Sequence, residues 1–329
     1  MLILTQADVR RAAAMPEIMD AVAAGFAQLS SGQADIPLRP HIALPEREAS
    51  VLVMPAYLRG DEKLGVKLLT LFPQNPAQGL PAIAALVALF DTTNGQPLAL
   101  LGGGLLTALR TGAASGVATR LMARRDARTL ALFGAGAQAL AQVWAVCVAR
   151  RIERVWLVNR TRAHAVRLAE ELRAFGPPIP ADIRIANSAR EALAEAEVIC
   201  CATGAATPLF DDDELRPGTH INAIGAYRAT MREVSGATVA RARVIVDQRA
   251  AAWAEAGELV LARAEGLVDE THVVGELGEV VLGRLSGRVD DEQVTLFKSV
   301  GNAAQDVAAA HVILARARAL GLGTAIDLS

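Results

Sequence analysis

The feature that most constrains this chain is a glycine-rich turn between an apolar segment and a helical one. Residues 129–161 read TLALFGAGAQALAQVWAVCVARRIERVWLVNRT. The run before the turn is short, apolar and unbroken, as expected of a strand that is buried on both faces. Apolar residues then recur at helical spacing, and a second apolar run closes the unit. This order predicts a strand, a turn, a helix and a second, parallel strand.

The turn itself has the spacing G-x-G-x-x-A, formed by Gly134, Gly136 and Ala139. The first glycine permits a tight turn, the second leaves room for a pyrophosphate, and the alanine lets the helix pack close to the sheet. The start of that helix would also direct free backbone N–H groups toward the phosphate. The spacing therefore predicts a dinucleotide site, although a tight turn without a ligand is the alternative. Five candidate cofactor contacts follow: Gly134, Ala135, Gly136, Ala137 and Gln138.

The second strand ends in Asn159, Arg160 and Thr161, where dinucleotide sites recognise the ribose of adenosine. An NAD site normally has Asp or Glu there, because a carboxylate accepts hydrogen bonds from the ribose hydroxyls. A carboxylate would repel a 2′-phosphate, whereas an arginine pairs with it through charge-assisted hydrogen bonds. We therefore predict NADP(H) in preference to NAD(H), with these three residues as cofactor contacts. The alternative for Arg160 is a solvated surface charge.

The remaining pattern divides into two kinds of segment. Residues 36–101 read as short extended segments separated by Pro and Gly, which predicts an antiparallel meander, and a helix rich in small residues follows at 105–123. From the glycine turn to residue 247, strands and helices alternate, which predicts a parallel sheet with helices on both faces. Thr203 follows a predicted strand in this region, at the end where open α/β sheets bind ligands, and is a further candidate cofactor contact.

The last part of the chain is predicted to be helical from residue 276, with a long alanine-rich helix at 296–320. We expect this helix to return to the first domain. The predicted fold class is therefore α/β, with a Rossmann-type doubly wound domain at 114–295. This domain is inserted into an α+β domain that is built from residues 1–113 and 296–329.

Charge and cysteine content exclude several classes of function. The chain has 33 basic and 35 acidic side chains, which argues against a nucleic acid as the main partner. Three cysteines are too few for a disulfide framework, so free thiols in a reducing cytoplasm are expected. The histidines show no metal-ligand spacing, and neither an export signal nor a run of membrane-spanning length is evident. We expect a cytoplasmic protein without a metal, membrane or nucleic-acid partner.

Several segments together resemble the ornithine cyclodeaminase/mu-crystallin family. They are GVK at 65–67, NP at 75–76, GLP at 79–81, PLALLGGGLLTALRTGAASGVA at 97–118, GAGAQ at 134–138 and TLFKSVG at 295–301. The combination of RTGAASG with GAGAQ is much more specific than either glycine motif alone. The resemblance implies a substrate-binding and dimerisation domain that carries an inserted Rossmann domain, and hence a homodimer. Members include cyclodeaminases, alanine dehydrogenases, ketimine reductases and thyroid-hormone-binding crystallins.

The resemblance also implies that Arg39, Lys67 and Arg110 bind the substrate carboxylate, and that Lys67 and Arg110 are catalytic. The chemistry is suitable, because an arginine offers a planar fork to a carboxylate and a lysine adds a compact charge with transferable protons. Lys67 lies in an apolar strand and Arg110 among small uncharged residues, where an unpaired charge is costly. The alternatives are a strand-edge lysine that faces water and a salt-bridged arginine at a domain boundary.

Departures from the family pattern bear on the reaction. Ornithine cyclodeaminases resemble G-x-D-x-P-G-K-x-E-L, whereas residues 225–234 read GAYRATMREV and place Tyr227 at the Asp position. A neutral phenol cannot pair with a substrate ammonium group, which counts against cyclodeamination and makes Tyr227 a candidate substrate contact. The NRT at 159–161 resembles the NADPH-binding crystallin and ketimine-reductase branch. Ala82 stands where many members carry a threonine near the cofactor. Thr111 and Ser299, within family segments, are further candidate cofactor contacts.

These residues favour an enzyme, an NADPH-dependent oxidoreductase that reduces a cyclic ketimine carboxylate such as pyrroline-2-carboxylate or piperideine-2-carboxylate. The cluster of basic residues would orient the carboxylate, and Lys67 could protonate the imine nitrogen if neighbouring guanidinium groups lower its pKa. Three alternatives stay open. They are an ornithine cyclodeaminase with bound NAD, an alanine dehydrogenase, and a non-catalytic protein that binds a small carboxylate ligand.

Overall fold

The structure, a computed structural model, describes residues 1–37 and 39–327, which fall into two compact units. The first unit contains Met1–Arg110 and the segment from Asn302 onward, and the second contains Thr111–Gly301. The sequence placed the boundaries after residues 113 and 295, whereas the structure places them after residues 110 and 301.

The elements are numbered in chain order. The strands are β1 Leu2–Leu4, β2 Ala34–Asp35, β3 His41–Leu44, β4 Ala49–Leu58, β5 Lys63–Leu71, β6 Ile83–Phe90, β7 Pro97–Gly102, β8 Thr129–Phe133, β9 Arg154–Val158, β10 Asp182–Ile185, β11 Val198–Cys201, β12 His220–Ala223, β13 Arg243–Val246, β14 Val273–Glu276, β15 Thr295–Lys298 and β16 Thr324–Ala325. The α-helices are α1 Gln6–Ala12, α2 Met15–Ser30, α3 Gly103–Met122, α4 Ala139–Ala149, α5 Arg162–Phe175, α6 Ala189–Leu193, α7 Gly236–Arg241, α8 Arg249–Glu255, α9 Gly257–Ala264, α10 Leu277–Val281 and α11 Ala303–Ala319.

The first unit is built on a mixed sheet with the order β16-β1-β7-β6-β5-β4-β2, and β3 pairs with β4. Strands β4 to β7 form the predicted antiparallel meander, which is confirmed, while β1 adds to β7 in parallel. One face of the meander packs on α11, where Met54, Ala56 and Leu58 meet Ala304 and Val307 in a buried apolar cluster. Helix α11 therefore covers the face of the sheet that contains the side chain of Met54. A residue directly opposite Met54 on β5 projects from the same face.

A close approach of β5 to its neighbours depends on Gly65. A Cβ atom at this position would lie 2.9 Å from the carbonyl oxygen of Ala88 and 3.0 Å from a methyl group of Val307. Because only glycine leaves that space, β5 can lie close to α11 at this point. Lys67 follows two residues later on the same face, directly opposite Met54 on β4 and Val87 on β6.

The second unit contains an entirely parallel sheet with the order β10-β9-β8-β11-β12-β15-β13-β14. Its first five strands follow the doubly wound order, and the direction of winding reverses between β8 and β11. Successive residues of β8 belong to two different apolar clusters, Leu130 and Leu132 to one and Ala131 and Phe133 to the other. The sheet is thus buried on both faces, and the predicted α/β class with a Rossmann-type parallel sheet is confirmed.

The prediction of one long helix at 296–320 is wrong at its start. Residues Thr295–Lys298 form β15, which is completely buried between β12 and β13, and the helix begins only at Ala303. The two segments are separated by Gly301, whose φ of +82° breaks the chain direction. So short a run carries no periodicity that separates a strand from a helix, so its partners in the sheet decide its structure.

The three cysteines, Cys147, Cys200 and Cys201, are free and buried. Burial raises the pKa of the Cys147 and Cys200 thiols to about 12, which keeps them protonated and unreactive. Within residues 1–37 and 39–327, no helix is both long and apolar enough to cross a bilayer. In the same residues, His, Cys, Asp and Glu side chains form no group of three or more that could hold a metal ion.

Candidate functional site

The glycine turn follows β8 directly and has the geometry that a dinucleotide requires. Gly134 has a φ of +102°, and a Cβ atom there would lie 2.5 Å from the carbonyl oxygen of Ala202, so the position accepts only glycine. Gly136 is exposed, and nothing lies within 4 Å of where its Cβ would be. Helix α4 then begins at Ala139 with its first N–H groups at this turn. An exposed cradle without side chains at a helix start fits a pyrophosphate.

Asn159, which follows β9, holds this turn in place. Its Oδ1 accepts a hydrogen bond from the N–H of Ala135 at 3.0 Å, and its Nδ2 donates to the carbonyl oxygen of Thr161 at 2.8 Å. Arg160 lies between these contacts with its side chain exposed, and Thr161 precedes α5 without a side-chain capping bond. The geometry therefore gives Asn159 a role in shaping the loop and leaves Arg160 at the solvent-facing edge of the cradle.

The other cofactor candidates of the second unit differ in how their side chains are used. The hydroxyl of Thr203 donates to Glu233 at 2.8 Å, and that of Ser299 donates to Asp247 at 2.8 Å. Gln138 has a buried Oε1 that accepts no hydrogen bond from the part of the chain that the structure describes, and Thr111 is buried within α3. Thr203 and Ser299 thus fix the ends of β11 and β15, whereas the hydrogen-bonding capacity of Gln138 Oε1 is not used by the described residues.

In the first unit, four polar side chains form what we call the Lys67 cluster: Lys67, Arg110, Gln305 and Asp306. Lys67 Nζ lies 3.1 Å from Asp306 Oδ1, and Arg110 Nε donates to the same oxygen at 3.1 Å. Arg110 Nη1 donates to Gln305 Oε1 at 2.6 Å. All four residues are at least nine-tenths buried. Two cations therefore share a single carboxylate, so the cluster carries a net positive charge when Lys67 is protonated.

The environment of Lys67 weakens its hold on a proton. Burial lowers the pKa of its ammonium group from 10.5 to about 8, and the positive charges of Arg110 and Arg39 act in the same direction. The carboxylate of Asp306 acts in the opposite direction without cancelling these effects. A lysine in this range can both hold and release a proton near neutral pH. The same effect places Arg39 near the cluster, although its side chain is only half-buried.

The Lys67 cluster also contains buried polar atoms without hydrogen-bond partners. Among the described residues, these are Asp306 Oδ2 and Gln305 Nε2; outside the cluster, both amide atoms of Asn302, the residue that precedes α11, are also unsatisfied. Buried polar groups are nearly always satisfied in proteins, and an unsatisfied one costs roughly 1–3 kcal/mol. Unsatisfied polar atoms on Asp306 and Gln305, which contact two buried cations, make this cluster a candidate for a site that a polar ligand completes.

The sequence pointed to Lys67 and Arg110, but it missed Asp306 and Gln305. The reason is that α11 has the sequence of an alanine-rich helix, in which the apolar stripe is a stronger pattern than the two polar residues. A signal was present, because Asp306 is the only charged residue other than histidine between Lys298 and Arg316. A lone carboxylate in such a stretch indicates a buried partner of opposite charge.

Tyr227 belongs to the second unit, and its side chain is 39% exposed. The guanidinium of Arg228 lies over its ring at 5.5 Å from the centroid. Its assignment as a substrate contact remains a prediction from the family pattern.

A second buried ionic group, which we call the Lys298 cluster, consists of Lys298, Glu258 and Glu233. Lys298 Nζ lies 3.0 Å from Glu258 Oε2, in an orientation that gives an ion pair without an aligned hydrogen bond, and all three residues are fully buried. Glu233 accepts hydrogen bonds from the backbone N–H groups of Thr203, Gly225 and Ala226 at 2.6–3.2 Å. Burial raises the pKa of Glu233, and the charge of Lys298 opposes this rise. These bonds tie together the loops that follow β11 and β12.

Known proteins resemble this chain over nearly its whole length. Residues 1–320 match the ornithine cyclodeaminase/mu-crystallin family. A Delta(1)-pyrroline-2-carboxylate reductase of Bacillus cereus is 37% identical over 329 residues, which cover 99% of this chain and 100% of the relative.

Two solved structures of similar proteins share the whole fold. The Thermococcus litoralis Delta(1)-pyrroline-2-carboxylate reductase, in complex with NADH and L-proline, superposes with a TM-score of 0.94 at 37% identity and covers 99% of this chain and 100% of its own. An archaeal alanine dehydrogenase dimer with bound NAD superposes with a TM-score of 0.91 at 31% identity, covering 100% of this chain and 99% of its own. With its inserted parallel-sheet unit and its glycine turn, the chain belongs to the ornithine cyclodeaminase/mu-crystallin family.

Proposed function

We propose that this protein is an NADPH-dependent reductase of cyclic ketimine carboxylates, such as pyrroline-2-carboxylate and piperideine-2-carboxylate. The observation that carries the proposal is the Lys67 cluster, in which two buried cations share one carboxylate. The uncompensated positive charge favours an anionic substrate, and the planar guanidinium of Arg110 suits a carboxylate. Arg39, Lys67 and Arg110 together bind that carboxylate, while the second unit binds the dinucleotide.

The similar proteins support this choice of substrate. The Bacillus cereus and Thermococcus litoralis proteins are both pyrroline-2-carboxylate reductases, and they match this chain over nearly its whole length. The absence of an acidic residue at position 227, where Tyr227 stands, argues against an ornithine cyclodeaminase.

Lys67 supplies a proton to the substrate nitrogen. Its lowered pKa of about 8 makes it a better proton donor than an ordinary lysine while leaving it mostly charged at neutral pH. Arg110 remains charged throughout and fixes the carboxylate, so that the carbon to be reduced is held in one orientation. The reduced nicotinamide, when bound, supplies the hydride.

The preference for NADPH rests on the end of β9. Arg160 is exposed beside the glycine turn, and neither Asn159 nor Thr161 carries a charge that would repel a 2′-phosphate. The nearby Asn159 is already bound to Ala135 and Thr161, which leaves Arg160 as the charged contact. The residues that would hold the rest of the dinucleotide are those of the turn, with Thr111, Thr203 and Ser299 as further candidates.

The proposal includes a homodimer in a reducing cytoplasm. On the meander face turned away from α11, Leu68 lies directly opposite Leu86 in the sheet register, and both are more than 40% exposed. Exposed apolar patches of this kind mark protein interfaces, and the archaeal alanine dehydrogenase is a dimer. Light scattering of the purified protein, and of a Leu68→Asp variant, would measure the assembly. The three free thiols are consistent with reducing surroundings.

One assay separates the proposed function from its alternatives. NADPH absorbance is followed with pyrroline-2-carboxylate, and separately with pyruvate plus ammonia, while ammonia release is measured with L-ornithine. Consumption of NADPH with the cyclic imine alone supports the proposal. Consumption only with pyruvate and ammonia would show an alanine dehydrogenase, and ammonia release from ornithine would show a cyclodeaminase. Cofactor binding without any turnover would show a binding protein.

A further inference from the structure

We infer that Asp306 is a catalytic residue whose free carboxylate oxygen accepts the ring N–H of the protonated cyclic imine. The inference rests on the proposed function and extends it, because it assigns the form of substrate that the site takes. That form is the zwitterionic iminium carboxylate, in which the negative carboxylate is attached to the ring carbon next to the positive nitrogen.

The two oxygens of Asp306 are used differently. Oδ1 accepts hydrogen bonds from both Lys67 Nζ and Arg110 Nε at 3.1 Å, whereas Oδ2 has no hydrogen-bond partner within residues 1–37 and 39–327 although Asp306 is fully buried. A carboxylate oxygen can only accept, so the group that completes it must be a donor. A buried carboxylate gains most from a donor that is itself charged, because charge-assisted bonds are roughly twice as strong as neutral ones.

The position of Asp306 relative to Arg110 matches the chemistry of the substrate. In an α-imino acid, a single carbon separates the nitrogen from the carboxylate group. A substrate whose carboxylate is bound by Arg110 therefore carries its nitrogen close to the neighbours of Arg110. Asp306 is such a neighbour, because Arg110 Nε donates to it directly. One residue thus holds the anionic end of the ring while the adjacent residue holds the cationic end.

This arrangement divides the proton chemistry between two side chains. The iminium binds with its N–H directed to Asp306 Oδ2. The reduced nicotinamide, when bound, would supply the hydride for the new C–H bond, and the C=N π electrons would become a lone pair on nitrogen. Lys67 Nζ then gives a proton to that lone pair, which yields the ring ammonium and a neutral lysine that regains a proton from water. Asp306 keeps its charge throughout and stabilises the positive nitrogen before and after the transfer.

Ligand binding in the presence of NADP⁺ tests this role without turnover. L-Proline carries a ring ammonium, pyrrole-2-carboxylate carries a neutral ring N–H, and furan-2-carboxylate carries no N–H, while all three share the carboxylate. In Asp306→Asn, calorimetry should show proline binding weakened about 10- to 100-fold relative to pyrrole-2-carboxylate. The carboxylate clamp is common to the three ligands, so damage to it lowers all affinities together and leaves their ratios unchanged. Unchanged ratios would overturn the inference.

Removing only the charge of Asp306 could disturb folding, so a second variant leaves the net charge of the Lys67 cluster unchanged. Lys67→Met combined with Asp306→Asn removes one cation and one anion, and it should show the same loss of preference for proline over pyrrole-2-carboxylate. Retained preference in this variant would contradict the assignment. If the wild-type protein reduces pyrroline-2-carboxylate but the two variants keep the wild-type ratio of affinities for proline and pyrrole-2-carboxylate, the inference alone fails. If the wild type binds neither proline nor pyrrole-2-carboxylate, the proposed function fails with it.

Discussion

The two buried ionic clusters of this protein contain similar side chains and have different degrees of hydrogen-bond satisfaction. In the Lys298 cluster, Glu233 accepts three backbone N–H groups and the hydroxyl of Thr203, while Lys298 Nζ donates to the carbonyl oxygen of Ala226 at 2.5 Å. In the Lys67 cluster, Lys67 and Arg110 donate to the side chains of Asp306 and Gln305, and Asp306 Oδ2 is left without a partner.

We interpret this difference as one between a structural role for the Lys298 cluster and the proposed functional role of the Lys67 cluster. Charged side chains whose hydrogen bonds are made to backbone groups hold loops in place, and these hydrogen bonds stabilise the fold itself. Charges that share too few partners keep part of their binding capacity for a ligand, at a cost in stability. Burial and charge alone would place both clusters in one class, and among the described residues each leaves one carboxylate oxygen without a hydrogen bond, Glu258 Oε2 in one and Asp306 Oδ2 in the other. The informative difference is the kind of partner, which is mainly backbone in the Lys298 cluster and only side chains in the Lys67 cluster.

The largest expected effect is on turnover, from Lys67→Met. Because this variant removes the proton donor and part of the carboxylate site, kcat/KM for the cyclic imine should fall about 100- to 10,000-fold. The affinity for NADPH should change little, since the proposed dinucleotide site lies in the second unit. Steady-state kinetics and fluorescence titration of NADPH measure the two quantities. A comparable loss of NADPH affinity would remove Lys67 from the chemistry.

The matched change in the other cluster, Lys298→Met, should act mainly on stability. It leaves Glu258 buried without its cation, and breaking a buried pair in this way costs about 3–5 kcal/mol. Urea denaturation followed by circular dichroism gives the free energy of unfolding, with Lys67→Met as the control of equal size. Equal stabilities for the two variants would contradict the contrast between the clusters.

A smaller effect is expected from pH. Lys67 donates only when protonated, and its pKa is lowered to about 8, so turnover should be full below this pH. It should decline about tenfold for each pH unit above it. Lys67→Arg keeps the positive charge but releases no proton, so the residual activity of that variant should lack the limb that begins near pH 8 and retain only the decline caused by deprotonation of the imine itself. A wild-type profile that stays flat from pH 7 to 10 would exclude Lys67 as the donor.

The smallest effect is expected at the edge of the nucleotide site. Arg160→Ala should raise the KM for NADPH about tenfold, because one charge-assisted hydrogen bond to the 2′-phosphate is lost. The KM for NADH should not change, and Arg162→Ala provides a nearby arginine as control. An equal rise in the KM for NADPH and for NADH would show that Arg160 contacts a part of the dinucleotide that the two cofactors share.

The amino-acid sequence by itself determined the parts of the fold that have strong local signals. The glycine turn requires a residue with positive φ at Gly134, and the alternation of short apolar runs with helical segments specifies a parallel sheet. The antiparallel meander was likewise predictable, because Pro and Gly residues separate its short extended segments. Lys67 and Arg110 were recognisable because a charge in apolar surroundings is energetically costly unless it has a partner.

Only the tertiary structure decided the rest. Residues Thr295–Lys298 form a strand because β12 and β13 supply partners on both sides, and no four-residue pattern contains that information. Asp306 lies 239 residues from Lys67 in the chain, yet its Oδ1 lies 3.1 Å from the lysine Nζ. Which charges share a carboxylate, and which oxygen remains free, depends on the packing of α11 against β5. Long-range packing therefore fixes the chemistry of the site, whereas local sequence fixes its scaffold.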